Sequence, residues 1–205
     1  KHARKLILAA VCSCAFSLVA AETYDSVMKA AADAKSVKER IEFYTKAVSL
    51  GTNEDQKFKA LREGFDLSVK SKDNEAIALF GNQLAESKKL TDAERADIKY
   101  KAIDAIWNWQ PRQTDGPPPK LWEDFLKMPG VTPEQEITAL LKVSTAYRMT
   151  NKFDKAVSAY EKIVGSPAAN ANSKYDALLA LSECHLAVFR QDKAVECLNR
   201  ILDMK

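Results

Sequence analysis

The sequence lacks the residue sets on which most enzymes and metal proteins depend. Its only histidines are His2 and His185, and no group of histidines and cysteines has the spacing of a metal site. It has neither a glycine-rich phosphate loop nor the strand-to-helix turn that presents a nucleophilic serine. Acidic pairs such as Asp92 and Glu94 are common, but helix dipoles favour them in first turns. We therefore predict a non-enzymatic protein with no catalytic residue, metal ligand or cofactor.

Long apolar runs are also scarce. The run over residues 6–20 is shorter than the roughly 20 strongly apolar residues that a membrane-spanning helix needs. It follows basic residues and precedes small ones before Glu22, as in a secretory signal peptide. We therefore expect residues 1–21 to be cleaved, with no transmembrane span afterwards, and the protein to be exported to the periplasm or the extracellular space.

Two alternatives to cleavage concern the same segment. One is a retained anchor helix, and the other is lipid attachment at Cys12 or Cys14, as a minor alternative. Beyond this segment only Cys184 and Cys197 remain. An export compartment would permit a disulfide between them, but hairpin geometry offsets them by about one helical turn, which favours two buried thiols.

The sequence that follows residues 1–21 has no net charge. Residues 1–21 hold three of the 31 basic residues and none of the 28 acidic ones, which leaves 28 of each sign. A nucleic-acid partner would require a clustered basic face. The sequence therefore excludes nucleic acid as the expected partner.

Sustained alternation of apolar and polar residues is absent too, which predicts essentially no β-sheet. Apolar residues recur at intervals of three and four instead, and capping signals divide the chain into about ten helices. A stiff proline-rich insertion at 111–119 interrupts the series. We expect a single domain over residues 22–205, with this insertion in the middle.

Small residues recur twelve positions apart in successive helix pairs: Gly64 and Ala76, Ser144 and Ala156, and Ser182 and Ala194. Small side chains let two helices cross closely, and aromatic residues fill the space beside the crossing. The order of large, small and aromatic residues is most complete in Leu140, Ser144, Tyr147, Ala156, Tyr160 and Pro167.

These residues resemble a tetratricopeptide (TPR) repeat, most clearly over residues 137–202. The resemblance implies an all-α, right-handed superhelix of helix-turn-helix repeats and a concave surface that binds a protein or peptide. His185 departs from the aromatic pattern, and the repeat spacing of 38 to 40 residues exceeds the 34 of the family.

The repeat order also indicates which side chains face the concave surface. We predict an interaction scaffold that binds an envelope protein or peptide there. Arg148 can pair with a partner carboxylate, although an exposed arginine is more often simply solvated. If the last helix keeps an uncovered apolar stripe, self-association or a further segment is expected. The predicted partner-binding residues are Thr138, Leu141, Thr145, Arg148, Asp176, Leu179 and Glu183.

All three tryptophans lie around the proline-rich insertion. Trp107, Trp109 and Trp122 fall within sixteen residues. Tryptophan is enriched at binding hot spots, so an exposed cluster would form a carbohydrate or small-ligand site by stacking. The favoured interpretation is that these rings bury the irregular middle hairpin.

Overall fold

A computed structural model of the protein describes residues 22–109 and 119–204, without the side chain of Trp109. The expected signal peptide at 1–21, Cys12 and Cys14, and most of the proline-rich insertion lie outside the described residues. Cleavage and lipid attachment therefore stay predictions.

The described residues form ten α-helices and contain no strand, which confirms the all-α prediction. Each helix corresponds to one expected from the sequence. The helices are α1 Tyr24–Asp33, α2 Val37–Leu50, α3 Glu54–Ser71, α4 Asn74–Leu84, α5 Asp92–Trp109, α6 Pro119–Phe125, α7 Pro133–Met149, α8 Phe153–Gly165, α9 Ala171–Ala187 and α10 Gln191–Leu202.

Polar residues start the helices where the sequence places capping signals. Thr132 accepts from the Gln135 backbone N–H at 3.2 Å, while the Gln135 side chain accepts from the Thr132 N–H at 3.1 Å. The same reciprocal box joins Ser36 and Glu39. Because each box satisfies two N–H groups that the helix leaves free, these residues fix the helix starts.

One helix end differs from the sequence expectation. The sequence predicts that the sixth helix stops at Pro129 and Gly130, but α6 ends at Phe125 and is followed by turns. Gly130 has φ 82°, and a Cβ there would lie 2.5 Å from the Asp92 carbonyl carbon. The turn therefore packs against the start of α5, so Gly130 serves a close backbone approach beyond the helix end.

Consecutive helices of the described residues pack against each other from α1 to α10, and α7 also touches α9. The helices thus form a stack of five hairpins, from α1–α2 to α9–α10. All six small residues that mark the repeat are buried. This arrangement is a TPR-like helical solenoid, as the sequence predicts.

Gly64 shows why the repeat needs small residues. A Cβ at Gly64 on α3 would lie 2.7 Å from the ring of Phe80 on α4, closer than a van der Waals contact allows. Gly81 is equally restricted, since its Cβ would lie 2.9 Å from the Cβ of Ala102 on α5. The glycines therefore set how closely α4 packs against both neighbours.

The core of the middle hairpin is aromatic. Trp122 and Phe125 of α6 are fully buried, and their ring centroids lie 5.9 Å apart in an edge-to-face arrangement. Tyr100 of α5 contacts both rings, at 5.7 and 5.8 Å. Such geometry suits aromatic quadrupoles. Although α6 has only seven residues, these rings join it firmly to the stack.

Candidate interaction surfaces

The predicted partner-binding residues lie on α7 and α9, at matching positions of successive hairpins. Residues 38 apart share a repeat position in this part of the chain, so Leu141 corresponds to Leu179. The α7 residues are half-buried, whereas those of α9 are exposed. We call the seven residues Thr138, Leu141, Thr145, Arg148, Asp176, Leu179 and Glu183 the α7–α9 face.

An ion pair links the two helices of this face. Nη1 of Arg148 donates to Oε2 of Glu183 at 2.8 Å, and the side chains are 39% and 52% exposed. Pairs at this exposure contribute about 0–1 kcal/mol to stability. The Arg148 guanidinium is thus neither simply solvated nor free for a partner carboxylate, because it is already paired within the chain.

The hydroxyl groups of the face also have partners within the chain. Thr138 donates to the Glu134 carbonyl oxygen at 3.0 Å, and the Thr145 hydroxyl lies 3.4 Å from that of Tyr160. A partner would therefore gain little from these threonines, because an existing hydrogen bond would have to be exchanged.

Apolar groups on α9 extend this face beyond the predicted residues. Leu179 is 39% exposed and Leu186, seven residues further along the same helix, is 53% exposed. Tyr175, four residues before Leu179, is 45% exposed. Tyr175 and Leu186 are not among the predicted residues, although Leu186 stands 38 residues after Arg148 and could have been found from the repeat.

The tryptophan region divides into a buried part and a partly accessible part. Trp122 is fully buried, so its ring cannot stack on a sugar. Trp107 is half-buried, and Nζ of Lys142 lies 5.0 Å from its ring centroid. The Trp109 side chain lies outside the described residues. For Trp122, the favoured interpretation of a packing role agrees with the structure.

His185 and the two cysteines pack in the interior. Burial, followed by the charge of Arg190, lowers the pKa of His185 below its ordinary value. The cysteines Cys184 and Cys197 are both free and buried, and burial raises the pKa of each thiol. Thiols in such surroundings are unreactive. The buried-thiol interpretation fits this arrangement.

Residues 22–109 and 119–204 contain neither a candidate metal site nor a candidate membrane-spanning helix. No group of three or more histidine, cysteine or acidic residues in these ranges has an arrangement that could hold a metal ion. No helix in the same ranges is long and apolar enough to cross a membrane.

Comparison with family models and with curated proteins gives no match. Among solved structures, a protein described as a kinesin light chain from Podosopora anserina, with nearly identical TPR-like repeats, is 14% identical to this chain, with a TM-score of 0.49. A single-substitution variant of that protein is 15% identical, with a TM-score of 0.47. Each alignment covers 88% of this chain and 92% of the other. The likeness concerns the fold.

Proposed function

We propose that this protein is a non-enzymatic interaction scaffold that binds a protein or peptide on the α7–α9 face. Stacked helical hairpins bury their own faces against one another and leave an extended surface for partners. The observation that carries the proposal is the exposure of Leu179 and Leu186 beside the Arg148–Glu183 pair. Apolar anchors with a charged rim are typical of protein-binding surfaces.

The proposal includes export, with an envelope protein or peptide as the partner. Its support is the sequence of residues 1–21, where basic residues precede an apolar run and small residues precede Glu22. N-terminal sequencing of the protein from its native source tests this part. A mature chain that begins at Glu22 is expected, and a chain that retains residues 6–20 would contradict cleavage.

The binding proposal is tested by capture of partners from native extract with three forms of the protein. Leu179→Asp places a charge among the apolar anchors and should abolish capture of a specific partner. Leu79→Asp is the matched control, because Leu79 on α4 is 43% exposed and far along the stack from α9. Capture of identical partners by the wild type and Leu179→Asp would contradict the assignment to this face.

The ion pair provides a second test on the same extract. Arg148→Glu leaves two carboxylates facing each other, whereas exchange of the pair, Arg148→Glu with Glu183→Arg, restores it in reverse. If the partner recognises the positions of the two charges, neither variant should capture it. If the partner requires only that the ion pair is formed, the exchange variant should still capture it. Retention by both variants would remove the pair from the binding surface.

A further inference from the structure

A groove runs along the other side of α7, between α6 and α8. Its cavity measures about 410 Å³, and its floor is apolar. The floor residues Leu140 and Val143 lie on a different face of α7 from Leu141 and Arg148, as the helical period of 3.6 requires. Leu126 and Ala159 complete the floor from the turn after α6 and from α8. We call this cavity the α6–α8 groove.

The rim of the groove is basic. Lys155 and Lys162 stand seven residues apart on α8 and so project on the same side, and Lys127 lies across from them. The only acidic residue of the lining is Glu123. Three ammonium groups thus surround an apolar floor that has one carboxylate beside it.

Two of these lysines have no carboxylate of their own. Nζ of Lys155 lies 5.4 Å from the ring centroid of Tyr147, which holds the ammonium at the groove. Within the described ranges, neither Lys155 nor Lys162 has a carboxylate within 4.0 Å, whereas Lys127 pairs with Asp124 at 3.6 Å. The charges of Lys155 and Lys162 are therefore available to a ligand.

This basic rim does not follow from the repeat itself. A cavity of about 460 Å³ lies over α3, between α2 and α4, and shares one repeat position with the α6–α8 groove, because Leu79 corresponds to Ala159. It has one lysine, Lys57, and the adjoining cavity adds Glu54 and Glu86. The lining over α3 thus has a single lysine with acidic residues next to it, whereas the α6–α8 groove has three lysines and one glutamate, so a basic rim distinguishes the α6–α8 groove.

We propose that the α6–α8 groove binds an acidic amphipathic peptide segment of a partner protein. Apolar side chains of the segment would pack on the half-buried Leu126 and on the edges of Leu140 and Val143, which are themselves buried in the floor. Glutamates or aspartates beside them would pair with Lys155 and Lys162, which complements the charge of the rim. This surface is separate from the α7–α9 face, so the proposal stands whether or not that face binds a partner.

The test uses a fluorescein-labelled synthetic peptide with leucines at helical spacing and glutamates between them. Fluorescence anisotropy should show saturable binding to the full chain, with an affinity that falls as salt is added. A matched peptide with lysine in place of every glutamate should not bind. Absence of binding by the acidic peptide, or equal binding by the basic one, would overturn the proposal.

Variants locate the site. Lys155→Glu with Lys162→Glu should raise the Kd about tenfold or more, since two attractive pairs become repulsive. Lys29→Glu with Lys35→Glu changes the net charge equally at exposed positions at the other end of the stack, and should leave the Kd within about twofold of the wild type. An equal loss in both double variants would show a non-specific charge effect and refute the site.

Ser158→Trp tests whether binding needs the space of the groove as well as the charge of its rim. Ser158 is exposed and lies on the lining between the two lysines, so a large ring there fills the groove without altering the rim charge or the core. Binding should be lost, while the circular dichroism melt stays unchanged. Unaltered peptide affinity, or loss of binding on Leu179→Asp instead, would move the peptide away from this groove and overturn the proposal.

Discussion

Arg148 of α7 and Glu183 of α9 form an ion pair between successive hairpins, 35 residues apart in sequence and 2.8 Å apart in space. Because both side chains are more than a third exposed, water screens the attraction. The pair therefore orients the face more than it stabilises the stack. Its charges matter most where a partner would exclude the water around them.

We expect a small coupling energy for this pair. A double-mutant cycle measures it from the unfolding free energies, in urea, of the wild type, Arg148→Ala, Glu183→Ala and the double variant. The coupling energy should be about 0.2–1 kcal/mol. The coupling should shrink as salt is added, since the pair is accessible to ions. A coupling above about 2 kcal/mol, or one insensitive to salt, would show that the pair is far less hydrated than its exposure indicates.

Gly64→Ala should destabilise the stack. The added Cβ would meet the Phe80 ring at 2.7 Å, so α3 and α4 must separate or the ring must move. Overpacking of this kind costs about 1–3 kcal/mol. Urea unfolding should show the loss as a lower midpoint with an unchanged slope.

Gly165→Ala is the matched control for that substitution. Gly165 lies at the end of α8, and a Cβ there would meet no atom within 4 Å. The stability should stay the same or rise by up to about 1 kcal/mol, because alanine favours a helix over glycine. If the two alanine variants behaved alike, close packing at Gly64 would not be the reason for its small size.

Much of the fold could be predicted from the sequence, because it depends on signals that are local. Ser36 and Thr132 cap their helices through residues three positions away, and Gly64 and Ala76 recur at the interval of the repeat. The number of helices and their pairing follow from such signals. The burial of Trp122 could also be favoured from the sequence, because an irregular hairpin needs a large apolar group to pack it against its neighbours.

The surfaces could be predicted less well, because they depend on how hairpins lie relative to one another. The repeat places Arg148 and Glu183 on one face, but their contact depends on the spacing of α7 and α9. The basic rim brings Lys127 to Lys155 and Lys162 from a different hairpin. No regular spacing of residues in the sequence predicts such a cluster of lysines.

Phe189 has a strained backbone conformation that a substitution should relieve. It has φ 61° in the turn between α9 and α10, and its side chain is 84% exposed. Asn151, at the same position of the preceding hairpin, has φ 58°. Asparagine tolerates left-handed geometry, whereas a bulky residue is strained there by about 1–2 kcal/mol.

Phe189→Asn and Phe189→Gly should therefore raise the free energy of unfolding by about 1 kcal/mol. Little burial is lost, because the ring is already in water. Phe189→Ala is the control, since it removes the ring but keeps a Cβ in the strained geometry. Equal stabilisation by all three variants would assign the effect to loss of the exposed ring rather than to relief of backbone strain.

His185 should make the stack sensitive to mild acid. Burial lowers its folded-state pKa below the unfolded value of about 6.5, so the unfolded chain binds the proton more readily. Stability is therefore unaffected by this group above about pH 6.5 and falls as the pH drops from there towards the lowered pKa. Below both values the penalty is constant.

The pH effect is measured by comparison with His185→Phe, which places an aromatic residue where the repeat has Tyr147. As the pH falls from about 7.5 to 5.5, the wild type should lose more unfolding free energy than the variant, so the variant becomes more stable relative to the wild type. Other titrating groups cancel in the difference. A difference that does not vary with pH would show that His185 titrates alike in the folded and unfolded chains.

An apolar stripe on α10 predicts self-association. Val195 and Leu198 are 54% and 41% exposed, whereas their counterparts on α8, Val157 and Tyr160, are 8% and 2% exposed beneath α9. The stripe, which Leu202 extends at 77% exposure, thus has the character of a surface that another helix covers. Sedimentation equilibrium should show a concentration-dependent rise in mass.

Val195→Glu with Leu202→Glu should return the protein to a monomer without loss of stability, because both side chains are already exposed. Val37→Glu is the control, since Val37 on α2 is 44% exposed and lies at the opposite end of the stack. It should associate like the wild type. A wild type that stays monomeric at every concentration would contradict the prediction. An equal effect of Val37→Glu would attribute association to general apolar exposure instead of the α10 stripe.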